Sequence, residues 1–193
     1  MSYNILHDLL KKLKRGFLIW ITLISLLINL WLDNLRFTIF QTKSNKKSRL
    51  QIKRAKWFTN QLINLGSAFI KIGQLLSARP DLIPNTWIQE LSKLQDQVPN
   101  FSFKQVEETI REELGSKFNE IDQIICDPVG SASLAQVHRG TLKDGKKVVF
   151  KVQRPNLKEL FIIDLGIMQQ IAGLLQKNKN WSRGRNWVAI AKE

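Results

Sequence analysis

Residues 71–84, Lys-Ile-Gly-Gln-Leu-Leu-Ser-Ala-Arg-Pro-Asp-Leu-Ile-Pro, depart from the pattern of the residues before them. From Trp57 to Leu76 apolar residues recur at helical spacing, but the last turns also carry a lysine, a glycine and a glutamine close together. Polar groups at that density on an apolar helix need partners. Pro80 cannot continue a helix, so the helix is predicted to end near Arg79.

An ordinary packed helix is the alternative for this stretch. Lys71 would then extend its aliphatic stem over apolar surface, and Gly73 would only permit the close approach of a neighbouring helix. Physical arguments alone favour this alternative.

Charge is unevenly distributed along the 193 residues, whose formal net charge is +14. Residues 1–60 contain twelve Lys or Arg against Asp8 and Asp33, and the remaining residues contain eighteen against fourteen acidic residues. Such a basic N-terminal third suits an anionic membrane surface or nucleic acid. No nucleic acid is expected, because no recognised motif or aromatic-rich surface accompanies the charge. The single Cys126 excludes an intramolecular disulfide.

An apolar run from Phe17 to Leu32 lies between two basic clusters. As a helix, this run is about 24 Å long, against about 30 Å of hydrocarbon in a bilayer. The run is therefore predicted to contact a membrane, either at its interface or paired within it. A signal peptide and a buried core helix are the alternatives, and because both flanks are basic no orientation is assigned. One stripe of the helix is polar: Thr22, Ser25, Asn29, Asp33 and Arg36.

Three further helices are predicted downstream. The first spans residues 54–78, and the second is capped by Asn85. Ser102 and Gln105 form a predicted capping box for the third, which ends at Gly115.

Residues 124–153 are richer in valine, with a turn at 143–146 between two runs typical of strands. Pro155 is predicted to open another helix, whose apolar face Asp164 interrupts. The fold class predicted from these elements is α+β.

The stretch Gly130–Val137 connects two predicted strands and contains the small residues Ala132 and Ser133. Small residues let backbone N–H groups approach phosphate oxygens, although a plain hairpin turn has the same composition. Lys151 follows within Val-Val-Phe-Lys-Val, where alternation places it on the strand face opposite Phe150. A surface lysine is the alternative for that position.

Together, Lys71-x-Gly73-Gln74, the small-residue loop and Gln153-Arg154-Pro155 resemble the UbiB family of atypical kinases, also called aarF-domain-containing or ADCK-type kinases. The resemblance implies a membrane-associated helix, a helical extension and the small lobe of a protein-kinase-like fold, with ATP and magnesium as cofactors. It implies that Lys71 and Gln74 belong to a motif covering the nucleotide cleft. By the same resemblance, Ala132 and Ser133 belong to an alanine-rich loop, and Lys151 binds phosphate.

Four segments follow from this comparison: a basic, membrane-contacting helical segment (1–40), a basic linker (41–56), a helical extension with the Lys-x-Gly-Gln motif (57–123) and a partial small lobe (124–193). Gly130 and Ser131 stand where the family usually has alanine, which adds backbone freedom to the loop.

No catalytic residue and no metal ligand is assigned in this chain. Asp164-Leu165-Gly166 resembles a magnesium-binding triplet, but it lies thirteen residues after Lys151 in a helical pattern. His7 and His138 have no sequence partners that indicate a metal or nucleophilic site. The chain is therefore expected to be the N-terminal part of a kinase-like protein, ending before the large lobe and inactive alone.

The resemblance links the chain to isoprenoid quinone biosynthesis or membrane lipid homeostasis. The expected partners are membrane lipids and isoprenoid-quinone biosynthesis proteins, with the basic segments facing an anionic, cytoplasmic-type surface. The alternative is a non-enzymatic, membrane-associated regulatory or interaction module that uses Lys71 and Lys151 only as structural or headgroup contacts.

Overall fold

The computed structural model describes residues 2–39, 44–178, 182, 184 and 186–190. The start of the predicted basic linker, residues 41–43, lies outside the described residues, as does the side chain of His7. The described elements combine helices with a small antiparallel sheet, which confirms the α+β class. In chain order the helices are α1 (Ser2–Ile39), α2 (Ser44–Leu65), α3 (Ser67–Ser77), α4 (Asn85–Leu91), α5 (Phe103–Leu114), α6 (Leu157–Lys177) and α7 (Trp187–Ile190), and the strands are β1 (Ile121–Ile124), β2 (Gly130–Ser131), β3 (Ala135–Leu142) and β4 (Lys147–Gln153). Short 3-10 helices lie at Ser92–Gln95 and Gly115–Glu120.

The chain forms two compact units. One comprises Met1–Leu30 and Lys158–Glu193, and the other comprises Trp31–Leu157. The four predicted segment boundaries stay predictions.

Helix α1 is longer than the apolar run that predicted it. Its segment Leu9–Phe37, 29 residues, is long and apolar enough to cross a membrane by length and composition. The helix therefore continues beyond the predicted run, because the flanking leucine-containing turns extend it; 29 residues cover about 44 Å. Two polar residues of the predicted stripe form side-chain hydrogen bonds with backbone carbonyls of their own helix. Thr22 Oγ1 donates to the Leu18 carbonyl (2.9 Å), and Asn29 Nδ2 donates to the Ser25 carbonyl (2.7 Å).

An arginine–aspartate pair joins α1 to α6 in the first unit. Arg15 donates from Nε and Nη2 to the two carboxylate oxygens of Asp164, both at 2.7 Å. Asp164 is only 1% exposed, so the pair is a buried, bidentate one. This explains how a carboxylate interrupts the apolar face of α6, and it places Asp164 on a helix rather than in a metal-binding loop.

A second pair lies in the other unit, at the end of α1. Arg54 of α2 donates to both carboxylate oxygens of the buried Asp33, at 2.6 and 3.1 Å. The hydrogen bond with Asp33 raises the pKa of Arg54, burial opposes the shift, and the charge of Asp33 supports it. The pair fixes α2 against the last turns of α1.

The helix predicted over residues 54–78 is interrupted. Gly66 separates α2 from α3 with φ 88°, a backbone conformation that favours glycine. Periodicity missed the break, because the apolar spacing continues through it. The helix was predicted to end near Arg79, and α3 ends two residues earlier, at Ser77.

Gly73 sets the closest approach in the helical part of this unit. A Cβ at that position would clash with Leu94 Cδ1 and lie 2.9 Å from Leu62 Cδ1, so α3 packs tightly against α2 and the 3-10 helix. The three neighbours nearest that Cβ, Leu62, Leu91 and Leu94, are all buried.

Two of the three predicted helix boundaries hold. Ser102 and Gln105 form the predicted capping box, and Gly115 follows the last residue of α5 with φ 55°. Asn85 is not a cap: it is the first residue of α4, and the extended Pro84 occupies the cap position without a side-chain bond.

β3 is the central strand of the sheet. It pairs antiparallel with β1 and β2 along one edge and with β4 along the other. The predicted hairpin turn at 143–146 is present, with Gly145 at φ 85°. Pro155 does not open α6, because Asn156 takes a left-handed backbone (φ 56°) and the helix begins at Leu157. One face of the sheet packs on α5 through Val106, Ile110 and Val152.

Replacing Gly73 with alanine should destabilise the fold by about 1–3 kcal/mol, because the added methyl overpacks the leucine side chains around it. Gly166→Ala is the matched control, since Gly166 lies in α6 and a Cβ there meets no heavy atom within 4 Å. Because alanine has a higher helix propensity than glycine, Gly166→Ala should leave the free energy of unfolding unchanged or raise it by up to about 1 kcal/mol. Urea unfolding followed by circular dichroism compares the two. Equal unfolding midpoints for Gly73→Ala and wild type would show that the close packing of α3 on Leu62 and Leu94 does not require glycine at position 73.

Candidate functional site

Lys151 lies on the sheet face that α5 does not cover. Its side chain is exposed, whereas Phe150 and Val152 on either side turn toward the α5 core. The register pairs Lys151 with Val137 and Gln153 with Ala135. The predicted alternation is therefore present in the strand. Lys151 is also two residues, about 7 Å along the strand, from the point where β3 begins.

A tight turn connects β2 to β3 just before that point. Ala132 N–H donates to the Ala135 carbonyl at 2.8 Å, which closes the turn over Ser133 and Leu134. Ala132 is exposed, but Ser133 is only 5% exposed. The hydroxyl of Ser133 is therefore not presented to solvent. The plain-hairpin alternative describes the local geometry, and the phosphate-binding role stays a prediction.

Arg154, directly after β4, holds this turn. Its Nε and Nη2 donate to the Ala132 carbonyl at 3.3 and 3.2 Å, and Nη2 lies 3.4 Å from Ser131 Oγ. Its backbone N–H donates to the Leu134 carbonyl at 3.0 Å. Partial burial lowers the pKa of Arg154, but an arginine so placed stays charged at neutral pH.

The same side chain reaches the segment before α5. Nη2 of Arg154 donates to the Pro99 carbonyl at 2.6 Å, and the guanidinium carbon lies 5.4 Å from the centre of the Phe101 ring. Sequence reasoning named Arg154 as part of a motif but assigned it no role. A charged residue directly after an edge strand was the available signal.

A buried polar group lies on the opposite face of β3. His138 Nδ1 lies 2.9 Å from the Ile125 carbonyl, and Nε2 lies 3.2 Å from Gln136 Oε1. Gln136 Nε2 donates to the Phe101 carbonyl at 3.4 Å. Both side chains are almost fully buried. His138 thus has two structural partners that the sequence did not reveal: the carbonyl of Ile125, thirteen residues earlier, and the side chain of Gln136 on the same face of β3.

The Lys-x-Gly-Gln motif divides into different roles in α3. Gly73 provides the close packing described above, and Gln74 Nε2 donates to the Leu94 carbonyl at 2.8 Å, at the 3-10 helix. Lys71 is exposed. Water can therefore solvate its ammonium, so Lys71 needs no buried polar partner. Its position over the strand pair stays a prediction.

The structure thus brings the turn at 132–135, Lys151 and Arg154 to one end of the sheet. Gln74 is engaged with backbone in the helical part of the same unit. The binding roles of Lys71, Gln74, Ala132, Ser133 and Lys151 stay predictions at this point.

Gln136→Leu should lower the free energy of unfolding by about 1–3 kcal/mol, because the Phe101 carbonyl and the Nε2 of the buried His138 both lose their hydrogen bond with Gln136. Gln123→Leu, at an exposed position of β1, should change it by no more than about 0.5 kcal/mol. Chemical unfolding measures both variants. If Gln136→Leu leaves the free energy of unfolding unchanged, an apolar side chain of similar size stabilises this site as well as the glutamine does.

Comparisons with known proteins identify the family of this chain. A family model of the ABC1 atypical kinase-like domain matches residues 93–193. The uncharacterised Synechocystis protein sll1770 is 43% identical over 180 residues, which cover 91% of this chain and 30% of that protein. The chloroplastic protein activity of bc1 complex kinase 8 of Arabidopsis thaliana is 42% identical over 185 residues, covering 94% and 24%. A probable protein kinase UbiB of Marinobacter nauticus is 45% identical over 125 residues, covering 64% and 22%.

The matched region is half of the chain and includes the sheet, Lys151 and Arg154. The class defined by these matches is an atypical kinase-like domain. This chain belongs to the ABC1 atypical kinase-like family, of the UbiB type, as its motifs predicted. It spans 30% or less of the length of these relatives.

Proposed function

We propose that this chain supplies the phosphate-contacting half of an ATP site in a membrane-attached, UbiB-type atypical kinase or ATPase. The observation that carries the proposal is the position of Lys151, on the open face of the sheet, close to the end of β3 where the tight 132–135 turn lies. A lysine cation and backbone N–H groups are the donors that kinase-like sites direct at triphosphate oxygens.

The proposal assigns roles residue by residue. Lys151 contacts the phosphates, and Ala132 and Ser133 contribute backbone donors. Lys71 and Gln74 belong to a segment that covers the cleft. Magnesium would accompany ATP and neutralise part of its charge, with ligands outside this assignment.

The cellular role is proposed from the relatives. The Marinobacter relative carries the name of a probable protein kinase UbiB, and the Arabidopsis relative that of a chloroplastic bc1 complex kinase. Isoprenoid quinone biosynthesis or membrane lipid homeostasis is the process we infer, with membrane lipids and quinone-biosynthesis proteins as partners.

Membrane attachment is proposed for α1. The segment Leu9–Phe37 has the length and composition of a span, and most of its large apolar side chains between Leu9 and Leu32 are exposed, although Ile19 is buried. The basic residues on both flanks suit anionic headgroups. The exposed apolar side chains of α1 would contact lipid whether the helix lies in the membrane interface or spans the bilayer.

The nucleotide site is tested by titrating the chain with Mg-ATP and following chemical shifts. Because one lysine and one turn contact only part of a triphosphate, we expect a dissociation constant of about 1 mM and no phosphate transfer above a blank. Lys151→Ala should abolish the shifts. Lys147→Ala is the matched control, because Lys147 is an exposed lysine on the same strand and face. It should bind as wild type does.

Micromolar binding, or hydrolysis lost in Lys151→Ala, would show that these residues form a working site by themselves. Equal binding by both alanine variants would remove Lys151 from the site and favour a non-enzymatic membrane module.

Attachment through α1 is tested by flotation with anionic vesicles and by a carbonate wash of cell membranes. Leu27→Lys should reduce membrane partition about 100-fold, because a charge at the centre of an embedded helix costs about 2.5–3.5 kcal/mol. Leu75→Lys is the control, since Leu75 of α3 is 60% exposed and Leu27 is 50% exposed. If a chain without residues 17–32 still floats and resists carbonate, the anchor lies elsewhere.

A further inference from the structure

Arg154 is anchored to two carbonyl groups that lie far apart in sequence, those of Ala132 and Pro99. The first belongs to the turn of the proposed phosphate site, and the second to the segment that leads into α5. Both contacts use one planar guanidinium, whose donors have a fixed fork geometry. All of these residues lie in one compact unit, Trp31–Leu157.

Holding the Ala132 carbonyl also orients the next amide. The peptide between Ala132 and Ser133 is planar and trans, because no cis peptide bond occurs among the described residues. In a trans peptide the C=O and N–H point in opposite directions. Since the Ala132 oxygen faces Arg154, the Ser133 N–H must point away from the guanidinium.

That orientation matters for an anion. A carbonyl turned toward phosphate repels it, whereas an N–H turned toward it donates a hydrogen bond. Gly130 stands before this turn and adds backbone freedom. The turn is closed by its own Ala132–Ala135 hydrogen bond, and Arg154 adds a contact from outside the turn that holds the Ala132 carbonyl.

We propose that Arg154 is the positioning residue of the nucleotide site: it fixes the 132–135 turn with the Ser133 N–H available to a phosphate oxygen and ties that turn to the Pro99 segment. This inference rests on the proposed function. It assigns Arg154 no contact with the nucleotide, so its effect passes through the turn. It also makes the position of the helical extension, through Pro99, a determinant of the turn's conformation.

The experiment uses the whole 193-residue chain and two variants. Arg154→Lys keeps the positive charge but loses the fork, and Arg154→Gln loses the charge. Arg49→Lys, at an exposed arginine of α2, is the matched control. Hydrogen–deuterium exchange without ligand reports on the turn, and chemical shifts during Mg-ATP titration report on binding.

Both Arg154 variants should exchange the amides of residues 131–135 about tenfold faster than wild type, because a charge-assisted hydrogen bond is lost. Amides 148–152 of β4 should be unchanged, as should all amides in Arg49→Lys. Mg-ATP should bind both Arg154 variants about tenfold more weakly. If Arg154→Gln does not fold, Arg154→Lys carries the test alone.

Unchanged exchange at 131–135 would overturn the inference. Full ATP affinity in Arg154→Lys with loss in Arg154→Gln would overturn it differently, by showing that the charge itself contacts the nucleotide. Faster exchange with unchanged ATP affinity would also overturn it, by showing that Arg154 holds the turn but that the turn does not contribute to phosphate binding. If the wild type shows no ATP-dependent shift at millimolar concentration, the proposed function fails, while exchange still decides whether Arg154 holds the turn.

Discussion

The backbone hydrogen bonding of β3 is the constraint on which the sheet depends, because β1, β2 and β4 all pair with it. Side chains alternate along a strand, so one register places Gln136 and His138 in the core and Val137 on the open face. A slip of one residue would exchange the two faces. The buried polar side chains oppose such a slip, since they find their carbonyl partners in only one register.

Gly140 strengthens the same constraint. A Cβ there would clash with the Phe150 ring and lie 2.7 Å from the Gln123 carbonyl oxygen. Only glycine therefore lets the ring of Phe150 cross β3 toward the α5 core. Because Phe150 is held on that side, Lys151 must project from the other. The position of the lysine on the open face is thus a consequence of core packing.

Local chemistry was the part that the sequence predicted well. The capping box at Ser102, the glycine after α5 and the turn around Gly145 are decided by residues a few positions apart, and the structure has all three. Family resemblance located the kinase-like sheet because its motifs keep their order. The break at Gly66 was missed, since a single glycine does not disturb hydrophobic periodicity.

Partners distant in sequence were the part that could not be predicted. The roles of Arg154 and His138 depend on carbonyl groups of Pro99 and Ile125, and a carbonyl has no sequence signature. In the Lys-x-Gly-Gln motif, Lys71 is exposed and the tight packing belongs to Gly73, whose leucine neighbours Leu62 and Leu94 are likewise distant in sequence.

The charged residues at the two ends of the apolar part of α1 are both neutralised by an ion pair. Arg15 and Asp33 are eighteen positions apart, about 27 Å along a helix, which approaches the thickness of a bilayer's hydrocarbon core. Each is already paired with an opposite charge, Arg15 with Asp164 and Asp33 with Arg54. An unpaired charge next to lipid or a protein core is costly, whereas a bidentate pair offsets much of that cost. Residues 16–32, between the two pairs, carry no charge, so the membrane attachment proposed for α1 would place no unpaired charge from this segment in lipid.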